Sequence, residues 1–373
     1  MRFPEFTEEW KEHCLAEYLD FKNGLNPSAN KFGSGIKFIS VMDILNNNFI
    51  TYDCIRTSVK ITPEEQVAFA VEKGDMLFQR SSETLEDVGR ANVYMDENPA
   101  VFGGFVIRGK KKTEYNPMFF RYLLASPYAR KKIIPMGAGA QHFNIGQDGL
   151  SKVKLHFPIL QEQQKIAALL RLIDERITTQ NKIIEDLNKL KSAISECIFN
   201  SIKGDVVMLS EICDIVKGKQ INGEYLSESG EYYVMNGGTE PSGYYSEYNV
   251  KANTISISEG GNSCGYVQFN NFPFWSGGHC YSLQNIADIV DNLYLYHYLK
   301  SKEEAIMKLR IGSGLPNIQK KDLAMFKTIV PPFEQQITIS TFLSSLERKA
   351  EIEERILNVM QKQKLYLLQQ MFI

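Results

Sequence analysis

The sequence has no apolar run approaching the roughly 18 residues that a membrane-spanning helix requires, so no such span is expected. Histidine is scarce, at five residues, and the six cysteines (Cys14, Cys54, Cys197, Cys213, Cys264, Cys280) are scattered with no CxxC pair. A structural zinc site therefore lacks its ligand set, and no metal ligand is expected. Unpaired, reduced thiols and a cytoplasmic chain are the simplest expectation. The opening MRFPEFTEEWKEH is acidic and mixed rather than basic-then-apolar, so no secretory leader is expected. Charge of one sign is also missing: the formal net charge is −2, and neither half is globally basic. Any nucleic-acid surface must be local or completed by a partner. What is present is 373 residues with 43% hydrophobic and 23% charged side chains. That is enough chain to bury a full core, which excludes a disordered tail protein and suggests two or three domains.

The chain repeats itself. GAQHFNIGQDGLSKVKLHFPILQEQQKI, from Gly139, matches GSGLPNIQKKDLAMFKTIVPPFEQQITI, from Gly312, at an offset of 173 positions with one slip at EQQ. Gly139 meets Gly312, Asn144 meets Asn317, Ile145 meets Ile318, Leu150 meets Leu323, Pro158 meets Pro331 and Ile166 meets Ile339. Upstream, FFRYLLAS (Phe119 to Ser126) echoes YLYHYLKS (Tyr294 to Ser301). Gly103-Gly104 echoes Gly277-Gly278, and Val41-Met42-Asp43 echoes Val234-Met235-Asn236. A period of half the chain is a tandem duplication, too long for a solenoid.

Each half closes on a helix-like stretch free of Gly and Pro, from about Gln161 to Lys203 and from Phe333 to the C-terminus. Some forty residues at about 1.5 Å each give roughly 60 Å. Apolar residues recur at alternating spacings of four and three: Ile166, Leu170, Ile173, Ile177, Ile184, Leu187, Ile194 and Ile198 in the first, and their counterparts from Ile339 to Met371 in the second. Both stripes are broken at the same two places, Gln180/Glu353 and Lys191/Lys364. A seven-residue repeat with shared polar interruptions is the mark of a coiled-coil seam. Packing of each helix on its own domain is the alternative, but the repeated interruptions favour two helices facing each other antiparallel.

The globular parts read as short mixed elements. Strand-like runs are Lys37–Met42, Ala68–Val71, Asp75–Phe78, Val101–Ile107, Val153–Phe157, Tyr232–Met235, Thr254–Ser258 and Lys327–Val330; helix-like runs are Phe119–Tyr128 and Leu293–Lys308. Gly/Ser/Asn-rich tips such as NGGTEPSGYY and SEGGNSCGY read as surface loops. The expected fold class is α+β: two pseudo-repeated mixed α/β domains, residues 1–157 and 204–331, separated by two long antiparallel coiled-coil helices, residues 158–203 and 332–373.

The sequence offers no complete catalytic motif. Amino methylation needs an Asn/Asp-Pro-Pro-aromatic motif; the nearest match, Val330-Pro331-Pro332-Phe333, has a valine where an acceptor is required and reads as the start of a helix. Gly104 to Lys111 has phosphate-loop spacing but lacks the Ser/Thr for magnesium and looks like a strand. Adjacent His279 and Cys280 ill suit one tetrahedral site or a supported nucleophile pair. Glu8-Glu9 and Glu303-Glu304 read as solvated helix faces. A binding protein without its own active site or cofactor is expected.

The loops do carry groups that read base edges and neutralise phosphates. In the first half these are Lys22, Asn23, Asn26, Arg80, Ser81, Ser82, Arg90 and Gln141. In the second they are Lys217, Lys219, Gln220, Asn222, Asn236, Ser258, Asn262, Ser263, Tyr266, His279 and Arg310. Asn144 and Asn317 recur in both halves and read as structural caps, because two halves reading different bases should differ at their readers.

At this point the residues resemble a known family. FPILQEQQKIAALLRLIDERI (from Phe157) and VPPFEQQITISTFLSSLERKA (from Val330) look like the two spacer helices of a type I restriction–modification specificity subunit. VKGKQIN (from Val216), YYVMNGG (from Tyr232), NTISISEGGNSCGYV (from Asn253) and FWSGGHCYSL (from Phe274) are similar to that family's target-recognition domains. KGDMLFQRSS (from Lys73) carries the corresponding strand of the first half without the glycine pair Gly260-Gly261.

The resemblance implies that each globular half grips one half-site of a bipartite double-stranded DNA target while the helices fix the spacing. It implies two methyltransferase (modification) subunits acting on adenine with S-adenosylmethionine, and ATP-driven endonuclease (restriction) subunits needing Mg. Those cofactors would sit on the partners and none on this chain, which would be non-catalytic. The competing readings are a coiled-coil interaction scaffold and the recognition part of a single-chain restriction-methylation enzyme.

Overall fold

The computed structural model describes residues 2–139, 141–312, 314 and 316–372. Ser313 and Leu315 of the repeated motif, and Ile373 of the expected C-terminal helix, lie outside the described residues. Two compact units emerge, Met1–Asn181 with Ile356–Ile373, and Lys182–Arg355.

Each unit is organised around a four-stranded antiparallel sheet with the same strand order. In the first, Leu19–Asn23, Val106–Lys111, Met76–Gln79 and Ala91–Val93 lie side by side. In the second, the order is Asp214–Lys217, Cys280–Gln284, Thr254–Ser258 and Val267–Asn270. A smaller sheet accompanies each and holds a parallel strand pair: Phe32–Ile39 beside Val101–Phe102, and Tyr232–Met235 beside Trp275–Ser276. A two-stranded ribbon leads into each long helix, Lys154–Phe157 paired with Lys11–Cys14 and Lys327–Val330 paired with Asp205–Met208. The duplication read in the sequence is therefore a duplication of topology.

The long helices span Leu160–Ser201 and Phe333–Met371. Their starts are fixed by one buried glutamine each. Gln163 accepts from Asn116 N (3.0 Å) and donates to Pro158 O (3.0 Å). Gln336 accepts from Asp291 N (2.8 Å) and donates to Pro331 O and Ile289 O. Asn116 and Asp291 are the N-caps of the preceding helices, Pro117–Ala125 and Asn292–Ser301. The EQQ slip thus has a physical cause: the anchoring glutamine, not the tripeptide, keeps the offset of 173.

Within each unit, residues of one long helix pack on residues of the other. In the first, Ile166, Ala167 and Leu170 share a core with Leu368, Met371 and Phe372. In the second, Phe199, Ile194 and Ile198 share a core with Ile339, Leu343 and Leu346. The early turns of one helix thus meet the late turns of the other, an antiparallel pairing. The lysine interruptions, Lys191 and Lys364, form ion pairs across this seam. Lys364 meets Asp174 at 2.5 Å, and Lys191 meets Glu347 at 3.5 Å. Each acid also accepts from a tyrosine, Tyr122 on Asp174 (2.7 Å) and Tyr296 on Glu347 (3.3 Å). Lys364 stands 173 positions after Lys191, and Glu347 stands 173 after Asp174, so one contact is made twice.

Several short elements differ from the sequence reading. The run Lys37–Met42 is strand only to Ile39; Ser40 then starts the helix Val41–Asn46, with the Asp43 carboxylate accepting from both Ser40 N and Ser40 Oγ. Ala68 ends the helix Pro63–Ala68, capped by Thr62, and Val71 makes only an isolated bridge to Ala100. The run Val101–Ile107 breaks at Gly103-Gly104, where a Cβ on Gly104 would fall 2.0 Å from Asn26 Oδ1. Each helix-like run is two helices. Pro127 restarts the first, with Ser126 Oγ accepting from Ala129 N, and the second divides at Lys302. Asn144 and Asn317 cap no helix; they form the bridges Ala138–Asn144 and Ile311–Asn317.

Candidate nucleic-acid interface

Backbone hydrogen bonds show that the candidate loops hang on one frame, built twice. Arg80 N donates to Phe105 O, as Glu259 N donates to His279 O. Ile145 N donates to Arg80 O, as Ile318 N donates to Glu259 O. Gln79 N donates to Arg90 O, as Ser258 N donates to Tyr266 O. Gly24 N to Val106 O corresponds to Gly218 N to Cys280 O, and Leu25 N to Phe102 O corresponds to Lys219 N to Ser276 O. Gly103 N to Ile39 O corresponds to Gly277 N to Met235 O, so Ser40, not Asp43, is the counterpart of Asn236.

Glycine holds the frame where the chain turns. Gly89 (φ +67°) and Gly265 (φ +92°) are counterparts in the left-handed region, where a side chain is disfavoured. Between these shared points the side chains differ: Asn26 against Gln220, Ser40 against Asn236, Arg80 against Glu259, Phe105 against His279. A constant backbone thus carries different side chains in the two halves.

In the second unit the frame gathers five of the candidates around a residue that the sequence reading left out. Glu259 follows the strand Thr254–Ser258, and its side chain is 9% exposed. Its Oε1 accepts from Lys217 Nζ at 2.7 Å and from Tyr281 OH at 3.0 Å. Burial and the adjacent carboxylate raise the Tyr281 phenol, which stays a donor. Glu259 Oε2 is buried with no hydrogen-bond partner and stands 3.9 Å from His279 Nδ1. Around it, Asn236 Oδ1 accepts from His279 N (3.1 Å), and Ser258 Oγ donates to Gly237 O (2.7 Å). Gln220 closes over Gly278, where a Cβ would stand 2.5 Å from Gln220 Oε1. Lys217, Gln220, Asn236, Ser258 and His279 are thus brought together. Lys217 and His279 keep more than half of their side-chain surface in water.

Cys280, next to His279, is buried, and burial pushes its thiol up to about 11, so it is not activated as a nucleophile.

The other candidates of that half are spread around the cluster. The Lys219 side chain is exposed, and its carbonyl accepts from Trp275 Nε1 at 2.8 Å. Asn222 pairs with Glu224 at 3.3 Å. Asn262 is exposed, and Ser263 O accepts from Tyr266 N. Tyr266 lies under Lys300 Nζ, 3.9 Å from its ring centre. Arg310 is exposed beside the Ile311–Asn317 bridge.

In the first unit, Arg80 Nη1 donates to Gly104 O at 3.3 Å, which brings Arg80 to Asn26. Ser81 donates to Asn144 Oδ1, and Ser82 Oγ accepts from Thr84 N. Lys22 Nζ is tied to Ala68 O at 2.7 Å and lies over the Phe69 ring. Asn23 ends the edge strand Leu19–Asn23, and Gln141 is exposed. Arg90 pairs with Asp87 at 2.6 Å and faces a separate cavity.

Glu259 escapes a search by residue type, because a carboxylate near DNA looks repulsive. Only the fold shows that it sits under Lys217 and His279.

The family model described as type I restriction modification DNA specificity domain matches residues 7–189 and again residues 203–362. Among curated proteins, the putative type I restriction enzyme MjaX specificity subunit of Methanocaldococcus jannaschii is 24% identical, covering 94% of this chain and 90% of that one. A putative type I specificity subunit of Mycoplasma pneumoniae is 33% identical over 41% of each chain. The fold is shared with the crystal structure of a type I restriction–modification system S subunit from M. genitalium, with a TM-score of 0.65 and 19% identity over 98% of this chain and 96% of that one.

Proposed function

Because the chain belongs to the type I restriction–modification DNA specificity family and carries two specificity domains, we propose that it reads a bipartite DNA target, one half-site per domain. The observation that carries this reading is the frame built twice with different side chains upon it. In the second half, Lys217 and His279 would face the duplex as oriented donors held from below by Glu259, with Asn236 and Gln220 at base edges. In the first, Asn26 takes the place of Gln220, and Arg80, at the position of Glu259, would supply a donor of its own. The paired long helices serve as the spacer between half-sites, and a rigid connection gives each reader a high effective concentration once the other is bound.

Covalent work falls to partners in this reading. Modification subunits carry S-adenosylmethionine and flip the adenine, and motor-nuclease subunits use ATP. With a net charge of −2, much of the phosphate neutralisation is left to those partners.

The test is selection from a random duplex library by the full chain, alone and with an adenine-methylating partner, followed by sequencing. Enrichment of two short motifs at fixed separation supports the reading. Enrichment of a single continuous motif, or of none with the partner present, contradicts it and favours an interaction scaffold.

A further inference from the structure

A cavity of about 330 Å3 lies in the first unit, beside the frame residue Arg90. Its walls come from the helices Val41–Asn46, Pro117–Ala125 and Pro127–Ile133 and from the segment before Ala91. Three guanidiniums line it, Arg90, Arg121 and Arg130, against one carboxylate, Glu86. Asp87 takes up part of Arg90, at 2.6 Å. Arg130 Nη2 donates to Glu86 O (2.8 Å) and Val88 O (2.6 Å), which fixes the guanidinium but supplies no counter-charge. Arg121 lies over the Tyr122 ring at 5.2 Å.

Two donors are left over. Arg130 Nη1 and Arg121 Nε are buried with no acceptor among the described residues. Buried charged donors are nearly always paired, so these two guanidinium donors beside the cavity retain capacity for an anionic acceptor. Burial pushes the Arg130 guanidinium down to about 10, and Arg90 adds to that. Ile44, Leu45, Leu124 and Ile134 supply apolar wall, which strengthens any ion pair formed inside. Guanidinium forks match the tetrahedral oxygens of phosphate and offer several donors at once. In the second half the equivalent helices, Asn292–Ser301 and Glu303–Met307, contain no arginine, and Tyr266 stands where Arg90 does.

The geometry points to a phosphate-binding seat formed by Arg90, Arg121 and Arg130, peculiar to the first half and independent of base reading. The phosphate comes either from a free solute or from a nucleic-acid backbone, and the two sources are separable.

The experiment titrates the full chain with inorganic phosphate at constant ionic strength, by calorimetry and by thermal unfolding against a chloride control. Saturable binding with a phosphate-dependent rise in Tm is expected, since a ligand held by the folded state alone stabilises it. Arg121→Gln should weaken phosphate at least about tenfold and abolish the rise. Because Arg130→Gln also removes two carbonyl contacts, Arg121→Gln, which removes none, is the decisive variant. Adding non-specific duplex then assigns the source. Displacement of phosphate by duplex identifies a backbone contact, and phosphate binding indifferent to duplex identifies a free-solute site. Absence of saturable phosphate binding, together with wild-type duplex affinity in Arg121→Gln, overturns the proposal.

Discussion

Glu259 puts one buried carboxylate beneath the solvent-facing Lys217 ammonium and His279 ring, and in the proposed function it acts as a positioning residue. Glu259→Gln removes the charge that holds Lys217 at 2.7 Å while keeping an oxygen for Tyr281. The expected outcome is a loss of about tenfold in DNA affinity, the low end of what one oriented base contact is worth, with Tm little changed. Anisotropy titration of the full chain and thermal unfolding together check this; an unchanged Kd would remove Glu259 from the account. Lys217, Asn236, Ser258 and His279 were legible as candidates by residue type, and the fold brings them together, whereas Glu259 was not, because its place depends on a depth that a sequence does not print.

A second residue-scale outcome concerns His297, on the helix Asn292–Ser301. Burial, with Lys191 nearby, lowers its imidazole from 6.5 to about 4, and Nε2 meets Ser344 Oγ at 3.0 Å. Below pH 6.5 the unfolded chain takes up a proton that the folded chain refuses until about pH 4. Its contribution is therefore present above 6.5 and lost on acidification, with about 2 kcal/mol going between pH 7 and pH 5. Urea unfolding at the two pH values should show this loss in the wild type and not in His297→Gln.

At the scale of elements, the long helices were legible to within two residues at each described end. Some forty positions of apolar spacing without Gly or Pro leave no competing structure. Tyr232–Met235, Thr254–Ser258 and Lys327–Val330 were likewise read to their bounds. The failures sit where a few atoms outweigh a pattern: the Ser40–Asp43 capping box, the Thr62 cap, and the Gly103-Gly104 break forced by Asn26.

The seam offers its own test. The Asp174 side chain is 8% exposed and held by Lys364 and Tyr122. Lys364→Met strands that carboxylate and should cost about 3 kcal/mol, the lower range for breaking a buried pair. Loss of the exposed Lys189–Glu185 pair on the same helix family should leave denaturant midpoints where they are. Equal effects from the two changes would mean that the seam is not closed.

At the scale of the whole molecule, the helices act as a ruler in the proposed function, and a ruler can be lengthened. Seven residues inserted after Asn181, matched by seven after Arg355, preserve the heptad seam and add about 10 Å. That corresponds to roughly three base pairs at about 3.4 Å per step. Library selection should return the same two motifs with a spacer longer by about three base pairs; an altered affinity at an unaltered spacing would discard the ruler.

The most direct measurement replaces residues 1–157 with the corresponding half of another specificity protein and repeats the library selection on the hybrid with its methylating partner. One motif of the pair should change, with the other motif and the spacing retained. A change in both motifs, or in neither, would contradict a molecule made of two independent readers.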